Sequence, residues 1–354
     1  MQTGAIIRNL AVFILSAIII FYNLFSSIKF KEKPLNKPVS EGFLTEEKGE
    51  ENKINSTITK KEEEPQNVNP KEEIPTQSSS ETSSKEASAA AVKGKIESRY
   101  ISPYSAGLSY NSVYVKNSSG LSINLKEFLT SPLLYKIEKN DLPQVLIMHT
   151  HTTETYVNND NGVYLEDYTS RTTDNSKNMA EIGRIIAEKL ESAGIKTLHD
   201  TTQHDYPKYS GSYTRAAKTI NSYLKKYPSI KIVLDLHRDA ISAGGNDKVK
   251  LVTQINGKKA AQVMLVMGSQ SGGVTNYPNW KENFKLATRL QQTIEIKYPT
   301  LARPISLMSK NYNQSLSNGS LLIEFGTDAN SLDEAKYSAE MVGESLVTLL
   351  NNLQ

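Results

Sequence analysis

Through the last two thirds of the chain, short apolar runs alternate with longer stretches that place an apolar residue every three or four positions. The short runs predict buried strands and the long ones amphipathic helices. The first run, 145–148, leads straight into His149, Thr150, His151, Thr152, Thr153 and Glu154. From about Asn178, the residues Met179, Ile182, Ile185, Ile186 and Leu190 share one helical face, and Gly194 stands just past the end, where glycine commonly closes a helix. Residues 195–198 predict a second strand. A helix then starts near Ser212 and stops before Pro228, and 232–236 predict a third strand. Residues 249–255 and 262–267 predict two more. A helix opens near Asn279 with Glu282 as its capping partner and stops before Pro299. Residues 321–325 form a further strand, and Ser331 with Glu334 mark the capping box of a last helix. Strands alternating with helices of this length predict an α/β fold, a mixed and largely parallel sheet with helices on both faces.

Ahead of residue 99 the pattern changes twice. Within 5–28 the only charge is Arg8, and 10–25 is almost wholly apolar. About 20 such residues span a bilayer core of about 30 Å as a helix, so 1–30 predict a single transmembrane anchor. Tyr22, Asn23, Leu24 and Phe25 precede Ser26 and Ser27, a poor cleavage site, which favours an uncleaved segment. In 31–98, Glu, Lys, Ser, Thr, Pro and Asn dominate, which predicts a disordered linker. The folded, catalytic domain is then 99–354. Its first part, 101–142, holds a strand-like piece at 112–115 and an apolar stretch at 128–135, and the pattern gives these no evident role.

Composition narrows the chemistry. The net charge of +3 is spread over many acids and bases and gives no reason to expect a nucleic-acid partner. With no cysteine, any zinc must be held by histidine and carboxylate. There are five histidines, His149, His151, His199, His204 and His237.

Three of the apolar strands carry chemistry at or near their ends. The first runs into His149, His151 and Glu154, the third into His237, Arg238 and Asp239, and the late one carries Glu324. In a parallel sheet these ends share one edge, where ligands bind. A catalytic zinc site takes three protein ligands and leaves one position open. His151, Glu154 and His237 are the candidate ligands for Zn2+, with His149 and Asp174 as rivals. Glu324, a carboxylate within an apolar strand, is the candidate general base. Arg238 is a candidate for holding a developing oxyanion. His204 and Tyr209, in the polar run after the second strand, are candidate substrate-lining residues.

The segments QVLIMHTHTTETY, LHDTTQHDYPKYSGSY, KIVLDLHRDA and LLIEFGT resemble the stage II sporulation protein P family. The anchor-plus-linker layout agrees. The resemblance implies a phosphorylase/hydrolase-like fold shared with zinc N-acetylmuramoyl-L-alanine amidases and zinc carboxypeptidases. It implies cleavage of peptidoglycan between the lactyl group of muramic acid and L-alanine, with an endopeptidase activity on cross-links alongside. It further implies sporulation proteins D and M as partners in engulfment, and a site outside the membrane at the mother cell–forespore septum. By motif, His151 falls on the first zinc histidine of the amidases, His237 on the second and Glu324 on the catalytic glutamate. The third ligand departs from the amidase spacing, which lands near Asn175, with Asp174 adjacent; the carboxypeptidase spacing points to Glu154. A carboxypeptidase-like enzyme and an inactive wall-binding scaffold are the competing readings.

Overall fold

Residues 90–353 are described by a computed structural model. The expected transmembrane anchor and most of the expected linker lie outside the described residues, among which no helix is long and apolar enough to cross a membrane. The boundary expected at residue 98 moves, because Val92–Arg99 form strand β1. Then follow β2 (Leu108–Tyr110), β3 (Val113–Asn117), the short helix α1 (Leu125–Thr130), β4 (Val145–Met148), β5 (Val163–Leu165) and α2 (Met179–Ser192). Next come β6 (Thr197–His199), α3 (Ser212–Lys226), β7 (Ile232–Asp239), β8 (Ser242–Gly244), β9 (Asp247–Ile255), β10 (Lys258–Ala261) and β11 (Val263–Gly268). The chain ends with α4 (Trp280–Lys297), β12 (Ile305–Met308), β13 (Ser320–Thr327) and α5 (Leu332–Asn351).

Eight strands form the main sheet in the order β2-β3-β12-β11-β13-β7-β4-β6. Its half bearing β13, β7, β4 and β6 is parallel. β11 reverses against β13, and β12 and β3 follow β11. A smaller sheet orders β10-β9-β1-β5, with β8 on β9. Residues 101–142 extend the main sheet past β12 through β2 and β3. There Phe128 of α1 packs edge-on against Phe284 of α4 at 4.9 Å.

Alternation along the strands decides what each face meets. Ile147, Leu234, Leu236, Ile323 and Phe325 join residues of α2, α4 and α5 in one large core. Leu146, Met148 and Val233 point the other way, onto Ala216 and Ile220 of α3. Helices therefore cover both faces, but unequally. Asp235 and His237 share Val233's parity and so lie on the α3 side, with Glu324 paired to His237 across β13 and β7. The caps follow the local sequence in part. Asn178 accepts from Ala180 N at 2.9 Å, and the Ser331–Glu334 box forms. The expected Asn279–Glu282 cap does not: Asn279 donates to Ser317 O at 2.7 Å, and Glu282 pairs with Lys285.

Candidate active site

Past Met148 the chain turns at once, Glu154 N donating to His151 O at 3.1 Å. Two threonines lock this turn. Thr150 donates its backbone N and its hydroxyl to Asp235 at 2.8 and 2.7 Å, and Thr153 does the same to Asp205 at 3.2 and 2.6 Å. On β13, Gly326 takes a left-handed φ of 64°, and an added Cβ would stand 2.5 Å from Asn330 Oδ1, which accepts from Thr327 N at 2.8 Å. Glycine there lets the chain bend just after Glu324. These constraints bring His151, Glu154, His237 and Glu324 together, all buried.

His237 Nδ1 lies 3.4 Å from Glu154 Oε2, and its Nε2 lies 2.9 Å from Asp235 Oδ1. Neither nitrogen has an aligned hydrogen bond. The His151 ring stands edge-on to His237 at 5.2 Å, and its Nε2 meets the Tyr209 hydroxyl at 3.1 Å. Tyr209 stacks on that ring at 4.5 Å and is itself capped by Arg171 at 4.5 Å. His151 Nδ1, Glu324 Oε2 and the Tyr213 hydroxyl are buried without a hydrogen-bond partner. Native interiors keep few such atoms, because each costs about 1–3 kcal/mol. Several in one spot mark a place built for something else to bind.

The charges are held apart in kind. Burial would raise the Glu154 carboxyl, but Arg238 and His237 outweigh it and hold the group well below the usual carboxylate range. Burial would lower His237, but Asp235 and Glu154 outweigh it and hold the ring well above its ordinary value. His151 is pushed down to about 4, chiefly by burial. Glu324 is pushed up to about 8 by burial and then by Asp239. Burial also raises Tyr213, which keeps its phenol proton. Two carboxylates in one site thus stand on opposite sides of neutrality, the pattern of an ionised ligand beside a proton carrier.

The other candidates sort differently. His149 turns toward Leu236 O at 3.2 Å and His199 Nε2 at 3.0 Å, away from His237. Asp174 is exposed and bonds Ser176. His204 does not line a groove; it is buried between His149 O and the Thr219 hydroxyl, both at 2.8 Å. Arg238 is buried. Its guanidinium is engaged by the carbonyls of Thr155, Ser170 and Asp239, with Glu154 at 4.0 Å, and it ties the turn after β4 to β7. Sequence reasoning overlooked Asp235 and Tyr213. The signal for Asp235 was its position two before His237 on one strand, which puts both on one face. Tyr213 closes the segment LHDTTQHDYPKYSGSY, but nothing local set it apart from the tyrosines before it.

Among the described residues no three His, Asp or Glu side chains form a group already spaced to hold a metal ion. The donors nonetheless fit zinc in kind and in their closest pair. Two ligands about 2.0–2.1 Å from a tetrahedral zinc stand about 3.3 Å apart, close to the His237–Glu154 separation of 3.4 Å. Asp235 behind one histidine and Tyr209 behind the other suit the supporting shell of a metal ligand.

Fold and site together define a mixed α/β protein with a buried histidine–carboxylate centre where parallel strands end. The chain belongs to the stage II sporulation protein P family, whose sequence model matches residues 22–347. It is 30% identical over 217 residues to stage II sporulation protein P of Bacillus subtilis (strain 168), covering 58% of this chain and 50% of that protein. The chain therefore matches about half the length of that curated relative. Similar solved structures include the N-acetylmuramyl-L-alanine amidase Ami1 of Mycobacterium abscessus, at 12% identity and a TM-score of 0.36, covering 60% of this chain and 99% of that one. Another is the CwlD amidase of Clostridioides difficile in complex with the GerS lipoprotein, at 11% identity and a TM-score of 0.36, covering 59% and 98%.

Proposed function

We propose that this protein is a zinc-dependent peptidoglycan hydrolase that cleaves the amide between the lactyl group of muramic acid and L-alanine. The observation that carries the reading is the meeting of two buried atoms without a partner, His151 Nδ1 and Glu324 Oε2, with His237, which is held between Glu154 and Asp235. His151, Glu154 and His237 would hold the zinc, which supplies a Lewis acid and lowers the pKa of water to about 7. Asp235 steadies His237 and Tyr209 steadies His151. Arg238 keeps Glu154 charged. Glu324 takes a proton from the attacking water and returns it to the amide nitrogen as the C–N bond breaks.

Membership of a sporulation family supports a role in spore formation. On this reading the substrate is septal peptidoglycan, and the apolar N-terminal segment anchors the catalytic domain on the outer face of the membrane between mother cell and forespore. Sporulation proteins D and M are its engulfment partners, and cross-link cleavage uses the same site. The test compares the full chain with His237→Ala and Glu324→Gln on purified sacculi. We expect about one zinc per chain in wild type and Glu324→Gln, and new L-alanine amino termini from wild type alone. Other new amino termini would assign the cross-link instead, and release of terminal amino acids from free peptides a carboxypeptidase. A zinc-free wild type that still binds sacculi would sink the reading in favour of a scaffold.

A further inference from the structure

Tyr213 stands in the first turn of α3, with its hydroxyl buried and without a hydrogen-bond partner. Its ring meets the His151 ring edge-on at 5.6 Å and lies 6.2 Å from Tyr312. Its carbonyl accepts from Asn313 Nδ2 at 2.8 Å. Tyr312 and Asn313 hold φ of 51° and 57°, a left-handed backbone that a bulky side chain rarely adopts. The Asn313 hydrogen bond ties this turn to the start of α3, beside the Tyr213 ring. Asp235, Glu324 and Glu154 all act on this phenol through space, yet none of them accepts its proton in a hydrogen bond. The hydroxyl is thus left unpartnered on a ring that stands edge-on to His151.

We propose that Tyr213 is a further catalytic residue, whose hydroxyl donates a hydrogen bond to the carbonyl oxygen of the scissile amide as negative charge builds there. This rests on the hydrolase reading above. When the water oxygen bonds to the carbonyl carbon, the π electron pair moves to the carbonyl oxygen, and the water's proton goes to Glu324. Tyr213 stabilises that oxygen without giving up its own proton. When the C–N bond breaks, the electron pair returns to the carbonyl, and Glu324 protonates the leaving nitrogen. A neutral phenol suits the position, since a cationic donor would be drawn into an ion pair with Glu154 or Glu324. The role also falls to Tyr213 by position, because the Arg238 guanidinium is occupied by carbonyls. A purely structural ring would fill the same space as phenylalanine, with no buried hydroxyl left unpaired.

The experiment is Tyr213→Phe in the full chain, assayed beside wild type on a soluble muramyl peptide. We expect kcat to fall by about 100-fold or more, as when a single oxyanion donor is removed. KM and zinc content stay as in wild type, and the melting temperature is equal or higher. A variant with wild-type kcat overturns this inference and leaves the hydrolase reading standing. A fall in kcat that comes with zinc loss, a raised KM or a lowered melting temperature also overturns it, and assigns Tyr213 to the fold or to ground-state binding. A wild type that hydrolyses no amide overturns the hydrolase reading and this inference with it.

Discussion

Two groups of buried histidines flank the end of β4, and the protein treats them in opposite ways. In the first, His149 bonds Leu236 O and His199, and His204 bonds His149 O and Thr219. In the second, His151 Nδ1 has no partner, and the His237 nitrogens meet Glu154 at 3.4 Å and Asp235 at 2.9 Å without an aligned hydrogen bond. Residue type and burial are the same, so neither marks function. What differs is whether the ring's hydrogen-bonding capacity is used up inside the fold. The saturated group is architecture that holds the strand end still; the unsaturated group is what that architecture serves.

The largest expected effects separate the two groups by what is lost. Glu324→Gln should lower kcat by about 10²–10⁴-fold, the usual worth of a general acid–base, while unfolding at the same urea concentration as wild type. His204→Ala should do the reverse. It removes two buried hydrogen bonds and should lower stability by about 2–4 kcal/mol in urea unfolding, with zinc content and kcat per folded molecule kept. A folded His204→Ala chain without activity would break the distinction. A smaller effect is expected at Gly183, where an added Cβ would stand 2.4 Å from His199 Nε2 and 2.8 Å from His149 Nε2. Gly183→Ala should cost about 1–3 kcal/mol by overpacking, read as a lowered melting temperature. An unchanged melting temperature would mean that the histidine pair is loosely held.

A further effect is a slope in pH. Burial, then His199, pushes His149 down to about 3, and burial chiefly pushes His199 down to about 4. Both fold-state values lie below the unfolded value of about 6.5, so the unfolded chain takes up these protons first. The stabilisation is complete above about 6.5 and is lost as the pH falls toward 4 and then 3, by up to about 1.4 kcal/mol per pH unit for each proton. Urea midpoints at about pH 7.5 and about pH 5 should therefore differ less in His199→Gln than in wild type. Equal slopes would remove the pair from the account.

Most of the main sheet is legible in the sequence because its strands are buried on both faces and read as unbroken apolar runs. Of the site, His151, Glu154, His237 and Glu324 are legible because polar residues interrupt or end those runs. The rest depends on contacts that sequence does not show. β1 reads as linker, since Lys93, Lys95 and Glu97 face outward and its partners β9 and β5 lie far along the chain. The reversal at β11 leaves no mark in an apolar run. His204 sits among polar loop residues and looks exposed, and only the packing of α3 buries it. Arg238 looks like a functional cation beside His237, but three carbonyls brought in by the turn after β4 and the strand end engage it.

The position of β1 decides where the chain can be cut. It lies inside the small sheet, parallel to β9 on one side and antiparallel to β5 on the other. A protein begun at Ser98, where the composition first looks folded, would lack most of this strand and leave β9 and β5 as two open edges. Unpaired edges invite pairing between molecules, so such a truncation should yield aggregates even though the candidate site residues are all retained. The same cut two residues before Val92 would leave β1 paired with both β9 and β5.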